Sequence, residues 1–257
     1  MRLAFALSGS LLALSACATT SDEPSATAVY DPFEGWNRGV YAFNDGVDRA
    51  VLEPVAKGYR AVTNEPVRDG VSNFLTNLNQ PVVFANTVLQ GKPVASIDTA
   101  ARFIVNSTFG IGGIFDLATP LNVPEHREDF GQTLGTWGVP NGPYLVLPFL
   151  GASNLRDTVG FGVDNAFDPL NYAEFEGDTE FRITRQVGCI VSVLENQIEA
   201  VEVLRYQPEP YVALRRNYTQ QRAAAIRDGR EQEDPFKDLP DFDDYDFGDE
   251  EEFESEE

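Results

Sequence analysis

Residues 128–151, EDFGQTLGTWGVPNGPYLVLPFLG, place the strongest limit on how this chain can fold. Eight of these 24 residues are glycine or proline, yet the stretch is also among the most apolar parts of the sequence. A surface loop with so much glycine and proline is normally polar, and a buried helix contains little of either. The stretch therefore requires surroundings that tolerate a backbone which is both apolar and irregular.

Within this stretch, the segment from Gly142 to Gly151 has the pattern of an apolar hairpin. Its terminal glycines allow the backbone to turn, and Pro143 and Pro148 prevent a regular helix. The apolar side chains that lipid acyl chains would contact are Tyr144, Leu145, Val146, Leu147, Phe149 and Leu150. A hairpin at a lipid surface or pore is one interpretation, because irregular backbone at membrane depth is tolerated beside protein or an aqueous cavity. A hairpin buried in a soluble core is the other, and these residues alone leave both open.

The rest of the folded region has a helical period. Apolar residues at spacings of three and four predict a first helix, whose apolar face carries Trp36, Val40, Phe43, Val47 and Val51. Pro54 is predicted to end this helix and Pro81 to begin another. The longest predicted helix has about 28 residues, or about 42 Å, and ends before Pro208. Strand-like alternation is scarce, so we expect one all-α domain at residues 31–229.

The N-terminus has the features of an exported lipoprotein. A short apolar run followed by small residues predicts a secretory signal peptide at residues 1–16. Residues 14–17, LSAC, resemble the bacterial lipobox, in which Cys17 becomes the acylated N-terminal residue; an ordinary signal peptide with an incidental cysteine is the alternative. Ala18, where sorting to the inner membrane uses Asp, implies export to the outer membrane of a Gram-negative cell. Residues 17–30 are a polar tether of small residues.

The charge of the chain is concentrated at its C-terminus. Residues 230–257 contain fifteen Asp or Glu and two Lys or Arg, so they contribute −13 to a net charge of −22. A segment with that composition is predicted to be a disordered acidic tail. The acidic balance also argues against nucleic acid as a partner and against electrostatic docking on anionic lipid, because both require basic clusters.

The chain offers little for catalysis or for a bound cofactor. The single histidine, His126, lies in a polar loop, where a solvated side chain is the simplest interpretation. No GxSxG motif and no Cys/His spacing typical of a metal site occurs. Of the two cysteines, Cys189 has no partner once Cys17 is acylated, and its apolar neighbours predict a small buried side chain. We therefore expect no catalytic residue, metal or cofactor, and a lipid hydrolase is the weaker alternative.

Several polar residues lie within or beside apolar segments, where a charge at membrane depth usually faces a cavity or a partner. The candidates for a polar channel lining are Asp98, Arg102, Asn106, Asp116, Arg156 and Asp157. The first four also interrupt the most apolar long stretch, residues 94–118, which is therefore not a plausible transmembrane helix. For Arg156 and Asp157, a surface or helix-end ion pair is the alternative interpretation.

Four long blocks carry a resemblance to a known family. They are DPFEGWNR at 31–38, ARFIVNSTFGIGGIFDLA at 101–118, EDFGQTLGTWGV at 128–139 and GPYLVLPFLGASNLRDTVG at 142–160. In this order after a lipobox, they resemble the VacJ/MlaA family of outer-membrane phospholipid-transport lipoproteins, over residues 30–228. The acidic tail is not part of the resemblance.

The resemblance implies a ring-like helical domain in the inner leaflet of the outer membrane, facing the periplasm. An amphipathic channel through the ring would remove mislocalised phospholipid from the outer leaflet, with the hairpin at its mouth. The implied partners are an outer-membrane porin trimer and a soluble periplasmic carrier that receives the phospholipid. A purely structural lipoprotein tethered under the membrane is the main alternative, although it leaves the irregular apolar stretches unexplained.

Overall fold

The computed structural model describes residues 29–228, so the predicted signal peptide, the predicted acylation site Cys17 and the predicted acidic tail lie outside the described residues. This part is predominantly helical, which confirms the predicted all-α class. Its elements are α1 (Glu34–Val47), α2 (Glu53–Val62), α3 (Glu65–Leu89), α4 (Pro93–Thr108), α5 (Phe130–Thr136), β1 (Tyr144–Leu147), β2 (Gly151–Asn154), α6 (Leu155–Phe167), α7 (Asp178–Arg205) and α8 (Pro210–Ile226).

Two prolines do not interrupt the helices as predicted. A π-helical turn at Asp48–Leu52 joins α1 directly to α2, and Pro54 is the second residue of α2. The wider turn accommodates a residue that has no N–H and whose ring would clash with the carbonyl four residues earlier. Pro81 lies inside α3. The prediction that Pro54 ends a helix and that Pro81 begins one was therefore wrong.

The helix ends follow ordinary capping chemistry. The Asn64 side chain accepts a hydrogen bond from the Val67 N–H at 3.1 Å and caps α3. Asn154 caps α6 in the same way, with the Asp157 N–H at 2.8 Å. The longest helix, α7, has 28 residues, as the sequence predicts. The helix periods were thus readable from the sequence, whereas the response to internal proline was not.

The apolar segment forms a β-hairpin. Strands β1 and β2 pair in antiparallel register, with Tyr144 opposite Asn154 and Leu147 opposite Gly151. The three-residue turn contains Phe149 at φ +64°, a left-handed conformation that is costly for a bulky residue, followed by Gly151 at φ +81°. The predicted hairpin is therefore present, and its second strand continues beyond Gly151.

Packing contacts between the elements form a closed circuit. The hairpin packs on α1 through β1 and on α6 and α8 through β2. The circuit continues through α5 and α3 to α7, and α7 packs along α2, which the π-turn connects back to α1. Helix α4 packs on α3. This arrangement is the ring-like domain that the resemblance implies.

Arg205 fixes the join between α1 and α2 from the far end of α7. Its guanidinium donates to Asp45 at 2.8 Å, to Asp48 at 2.5 Å and to Glu53 at 2.6 Å. The three carboxylates come from α1, the π-turn and α2, respectively. A single cation therefore holds the irregular turn against the longest helix.

Glycines allow α5 and α6 to cross at backbone contact. A Cβ on Gly160 of α6 would lie 2.4 Å from the backbone nitrogen of Gly131 in α5. Backbone atoms cannot move aside as a flexible side chain can, so this crossing excludes any side chain at residue 160. Gly162 on the same helix has open space where its Cβ would be.

We predict that Gly160→Ala destabilises the domain by about 1–3 kcal/mol or more, because the added methyl overpacks the crossing. The measurement is the thermal unfolding midpoint in detergent, which should fall by several degrees. Gly162→Ala is the matched control and should be neutral or slightly stabilising, since alanine is favoured over glycine within a helix. Equal midpoints for the two variants would contradict the close crossing.

Candidate functional site

The described residues have an inverted distribution of polarity. Among them, 37 large apolar side chains are exposed, whereas the buried set comprises nine hydrophobic residues and 17 polar or charged ones. In a water-soluble domain, the large apolar side chains fill the core and buried charges are rare. An exposed apolar surface of this extent marks a contact with a membrane or with a partner protein.

Helix α4 shows the inversion most clearly. Ile97 and Ile104 on its predicted apolar face are 69% and 58% exposed. Its buried face carries Thr99, Arg102 and Asn106, none of them more than 7% exposed. The periodicity predicted the helix, and the structure turns its apolar face outward and its polar face inward.

The same outward orientation extends over other elements. Exposed aromatic residues on α1, α3, α4 and α6 and in the irregular segments include Trp36, Phe43, Phe84, Phe103, Phe109, Phe115, Trp137 and Phe161. None of the helices in the described part is long and apolar enough to cross a membrane. The apolar surface is assembled from side chains of several helices and of the irregular segments.

One interior cluster orders the glycine-rich loop between α4 and α5. Asp116 in this loop accepts a hydrogen bond from Arg102 at 2.8 Å and another from Asn106 at 3.1 Å. The Asn106 side chain also accepts from the backbone N–H groups of Leu117 at 2.9 Å and Ala118 at 3.1 Å. The polar face of α4 therefore replaces regular secondary structure as the partner of this loop backbone.

The carboxylate at the centre of this cluster stays ionised. Burial alone would raise the pKa of Asp116, but hydrogen bonds from Thr119, Asn106 and Arg102 lower it to about 2. The folded-state pKa lies below the unfolded value, so this contribution to stability is present above the usual pKa of about 4 and is lost only in strong acid.

A second cluster joins α6, α8 and the start of α5. Asp157 accepts from Arg156 at 3.0 Å, from Arg222 at 2.6 Å and from the Tyr218 hydroxyl at 2.5 Å. Arg222 also binds Asp129, the residue that caps α5, at 2.6 Å. Burial would raise the pKa of Asp129, but the Arg222 charge and hydrogen bonds outweigh burial and lower it. Arg156 and Asp157 are thus an internal helix-end pair and not a surface pair.

A third cluster is formed by uncharged and charged groups of α3, α5 and α6. Asn86 of α3 donates to Asp164 of α6 at 2.7 Å and accepts from Thr133 of α5 at 2.8 Å. Gln90 donates to the same threonine at 3.1 Å and to Glu128 at 2.9 Å. Asn86 and Thr133 are fully buried. Buried hydrogen bonds therefore join these three helices to one another.

His126 and Asp98 form a separate pair, with 3.1 Å between Nε2 and Oδ2. The imidazole is partly buried, so the expectation of a freely solvated His126 was wrong. Asp98 is the one predicted lining residue that joins none of the three clusters. Cys189 is half-buried, against the expectation of full burial.

The structure therefore brings Arg102, Asn106 and Asp116 together, brings Arg156 and Asp157 together, and pairs Asp98 with His126. Sequence reasoning missed the other members of the clusters. They are Asn86, Gln90, Thr119, Glu128, Asp129, Thr133, Asp164, Tyr218 and Arg222. Only their position opposite the apolar face of each helix could have indicated them, and that required knowing that the apolar face points outward.

Two asparagines of α1 hold the hairpin by its outer edge. Asn37 donates to the Tyr144 carbonyl at 3.0 Å and accepts from the Val146 N–H at 2.9 Å. Asn44, two helical turns later, donates to the Leu147 carbonyl at 2.9 Å and accepts from the Phe149 N–H at 2.9 Å. Side-chain amides thus replace a neighbouring strand along β1 and cover an edge that would otherwise be free.

The two ends of the hairpin have different surroundings. Tyr144 and Val146 are buried in a small apolar cluster with Val40 and Tyr211. At the other end, Phe149 and Leu150 are 71% and 59% exposed. The Phe149 ring packs edge-on against Phe43 of α1, with 5.4 Å between the ring centroids. The hairpin is therefore anchored at its base, and its apolar tip projects onto the exposed apolar surface.

We predict that Asn44→Ala loosens the hairpin tip while leaving its base in place. The substitution removes the partners of the Leu147 carbonyl and the Phe149 N–H, so hydrogen exchange at Phe149 should accelerate by about two- to tenfold. Mass spectrometry of peptides from the hairpin measures this rate. Asn196→Ala is the control, because Asn196 donates only within its own helix, to the Ser192 carbonyl at 3.0 Å. Unchanged exchange at Phe149 would show that Asn44 does not hold the tip.

The comparisons with known proteins cover almost all of the described region. The family model described as MlaA lipoprotein matches residues 29–225. The "Intermembrane phospholipid transport system lipoprotein MlaA" of Haemophilus influenzae is 33% identical over 225 residues, which are 86% of this chain and 89% of the relative. The relative of the same name in Escherichia coli is 33% identical over 224 residues, which are 86% of each chain.

A solved structure from work on the structural basis for maintenance of bacterial outer membrane lipid asymmetry superposes with a TM-score of 0.68. It is 32% identical to this chain, and the match covers 76% of this chain and 98% of that chain. Residues 29–225 include the polar clusters, the apolar surface and the asparagine-held hairpin, together with the four sequence blocks that carry the resemblance. The chain belongs to the MlaA lipoprotein family.

Proposed function

We propose that this protein takes part in intermembrane phospholipid transport and maintains the lipid asymmetry of the Gram-negative outer membrane. In this proposal it removes mislocalised phospholipid from the outer leaflet through an amphipathic channel and releases it toward the periplasm. The inverted polarity of the domain is the observation that carries the proposal. Membership of a family whose members are named as phospholipid-transport lipoproteins supports it.

The outer apolar surface suits a position within one leaflet. Short amphipathic helices, with aromatic and aliphatic residues on one side, bury that side at the boundary between headgroups and acyl chains. With Cys17 acylated, the chain would be anchored in the inner leaflet of the outer membrane and would face the periplasm. The surface then needs no spanning helix, since a single leaflet is half as thick as a bilayer.

The polar interior suits the passage of a headgroup. A phospholipid needs an apolar path for its acyl chains and a polar path for its phosphate and its headgroup. Ion pairs such as Arg102–Asp116 and Arg222–Asp157 give the interior charges of both signs, each held by a fixed partner. We propose that Asp98, Arg102, Asn106, Asp116, Arg156 and Asp157 lie along this polar path.

The hairpin is proposed to form the channel mouth and to gate it. Gating requires two arrangements that are close in energy. The left-handed Phe149 in the turn is strained, and the Asn44 hydrogen bonds and the Phe43 contact offset that strain in the observed arrangement. The anchored base and the exposed tip would let the tip move while the fold is preserved.

The partners proposed for this protein follow from the route of the lipid. A trimeric porin would hold the ring in the outer membrane, and a soluble periplasmic carrier would accept the phospholipid. The energy for transport would then come from outside this chain. The contacts with the porin and with the carrier would use different surfaces of the domain, because its polar interior and its outer apolar face are distinct.

We predict that the protein remains dependent on detergent when its anchor is removed. A variant with a cleavable signal peptide and Cys17→Ser carries no acyl chains, but the 37 exposed large apolar side chains remain. It should therefore partition with membranes and aggregate when detergent is withdrawn. A fully soluble, monodisperse protein would favour a structural lipoprotein that is only tethered under the membrane.

We predict that the protein moves phospholipid without altering it chemically. Within residues 29–228, the hydrogen-bond partner of His126 is Asp98, and no serine or cysteine completes a nucleophile–base pair with it. His126→Ala should preserve outer-membrane lipid asymmetry, measured as the amount of outer-leaflet phospholipid. Loss of asymmetry in a variant with normal abundance and folding would instead indicate catalysis.

We predict that pinning the hairpin tip to α1 blocks transport reversibly. Phe43→Cys and Phe149→Cys replace two rings with centroids 5.4 Å apart, in a Cys189→Ser background. A short bis-methanethiosulfonate crosslinker, which forms a disulfide with each cysteine and releases methanesulfinate, should raise outer-leaflet phospholipid, and reduction should restore the normal level. The control pair, Phe175→Cys and Phe181→Cys, replaces rings 5.7 Å apart that do not touch the hairpin.

The control pair separates an effect of the hairpin from an effect of crosslinking as such. Normal asymmetry with the Phe43–Phe149 crosslink complete would refute the gate and favour a static hairpin. An equal effect of both crosslinks would also refute it, because the second pair cannot restrain the tip.

A further inference from the structure

A second irregular apolar segment, which we call the 109–115 loop, follows directly after α4. Its sequence, FGIGGIF, contains no polar side chain. Phe109, Ile111 and Phe115 are 75%, 66% and 55% exposed. The exposure of three bulky apolar side chains within one short loop is unfavourable in water, so the loop requires another environment.

The backbone of the 109–115 loop obtains its hydrogen bonds within the protein. Six of its seven backbone N–H groups donate to carbonyls of the loop or of α4, at 2.9 to 3.4 Å. Those of Phe109, Gly110 and Gly112 donate to α4, and those of Gly113, Ile114 and Phe115 donate within the loop. Hydrocarbon excludes most loops because every backbone polar group there needs a partner within the protein. In water, such pairing would be unnecessary.

Asn77 of α3 fixes the base of this loop. It is 4% exposed, and its side-chain NH₂ group donates to the Gly112 carbonyl at 3.1 Å and to the Ser107 hydroxyl at 2.9 Å. A Cβ on Gly113 would lie 2.3 Å from the Asn77 Cβ. The loop is therefore packed at close contact on α3, and its bulky side chains project from a fixed base.

The residue at the centre of the exposed part is strained. Ile111 has φ +54°, a left-handed conformation that is costly for a β-branched residue. Asn122, which is exposed on the same connection between α4 and α5, has φ +57°. Asparagine tolerates this conformation far better than isoleucine. The strained isoleucine at 111 therefore indicates that an apolar side chain is required at this position.

The loop lacks the groups that a protein partner would use. Protein interfaces carry about one hydrogen bond per 100–200 Å². The 109–115 loop has no polar side chain, and the N–H groups described above already have partners. Hydrocarbon requires neither. The loop also continues from α4, whose exposed face carries Ile97 and Ile104.

We propose that the 109–115 loop inserts into the acyl-chain layer of the membrane, beyond the headgroup boundary. Amphipathic helices lie at that boundary, so the loop would reach deeper than the helices around it. This one deep contact would set how the domain is oriented in the leaflet. The proposal rests on the membrane position that belongs to the proposed function, but it does not depend on the transport of phospholipid.

The test uses the full-length acylated protein in vesicles of phosphatidylethanolamine and phosphatidylcholine, with no other protein present. A fluorophore is attached to Phe115→Cys or to Asn122→Cys in a Cys189→Ser background, in which Cys17 is expected to be blocked by acylation. The vesicles contain a phospholipid with a nitroxide quencher either near the ester or at the middle of an acyl chain. At residue 115, the mid-chain nitroxide should quench the fluorescence more strongly than the nitroxide near the ester. At residue 122, both should quench weakly.

Three outcomes would overturn the proposal. An unquenched fluorophore at residue 115 would exclude insertion and leave a protein partner as the occupant of this surface. Stronger quenching by the nitroxide near the ester would place the loop at the headgroup boundary. Equal mid-chain quenching at residues 115 and 122 would show that the loop is not the part that penetrates.

Ile111→Asn separates insertion from a merely structural role of the loop. Asparagine tolerates the left-handed backbone, so the melting temperature in detergent should not fall. The proposal predicts that this variant loses most of the mid-chain quenching at residue 115, because a polar amide now has to enter hydrocarbon. Ile97→Asn makes the same replacement at a site that is 69% exposed on α4, and it should keep that quenching.

A merely structural role predicts the same quenching for Ile111→Asn as for the unmodified loop, and that result would overturn the proposal. A lowered melting temperature would overturn it too, because Ile111 would then stabilise the fold rather than strain it.

Quenching measures insertion, whereas lipid asymmetry measures transport. Deep quenching at residue 115, together with normal asymmetry in cells that lack this protein, would contradict the proposed function and support the insertion. Lost asymmetry in such cells, together with an unquenched loop, would contradict the insertion alone.

Discussion

The structure depends on hydrogen bonds and ion pairs that are sheltered inside a domain whose apolar side chains face outward. In a soluble domain, burial of apolar surface provides most of the driving force for folding. Here hydrogen bonds among Asn86, Thr133 and Asp164 join α3, α5 and α6. Such contacts are directional, so they fix the geometry of the helices more strictly than apolar packing does. The apolar contribution would come instead from the lipid around the domain.

The hairpin illustrates this dependence. Its backbone is completed by two side-chain amides of α1, Asn37 and Asn44, rather than by a third strand. The first lies at the buried base and the second at the exposed tip. One face of α1 therefore sets the position of the hairpin. The same face sets how easily the hairpin tip could move away from α1.

Sequence reasoning succeeded where local chemistry decides the structure and failed where the surroundings decide it. The helix periods and the hairpin were predicted, because each depends on neighbouring residues. The continuation of the helix through Pro54 was missed, because a π-helical turn that accommodates a proline has no clear pattern in the sequence. Asp129 and Arg222 were missed because each resembles an ordinary surface charge, and their partnership spans 93 positions. Whether the apolar face of a helix points inward or outward depends on whether water or lipid surrounds the domain. The spacing of apolar residues in the sequence is the same in both surroundings.

The Arg205 contacts have a consequence for the order of assembly. This residue joins partners that lie 152 to 160 positions earlier in the chain. The entropic cost of closing so long a loop must be met before the contacts can stabilise the product, so closure is slow and comes late. A chain exported from its N-terminus would expose the first four helices, with their outward apolar faces, well before α7 is available to close the circuit. During that interval the uncovered apolar faces would be open to aggregation.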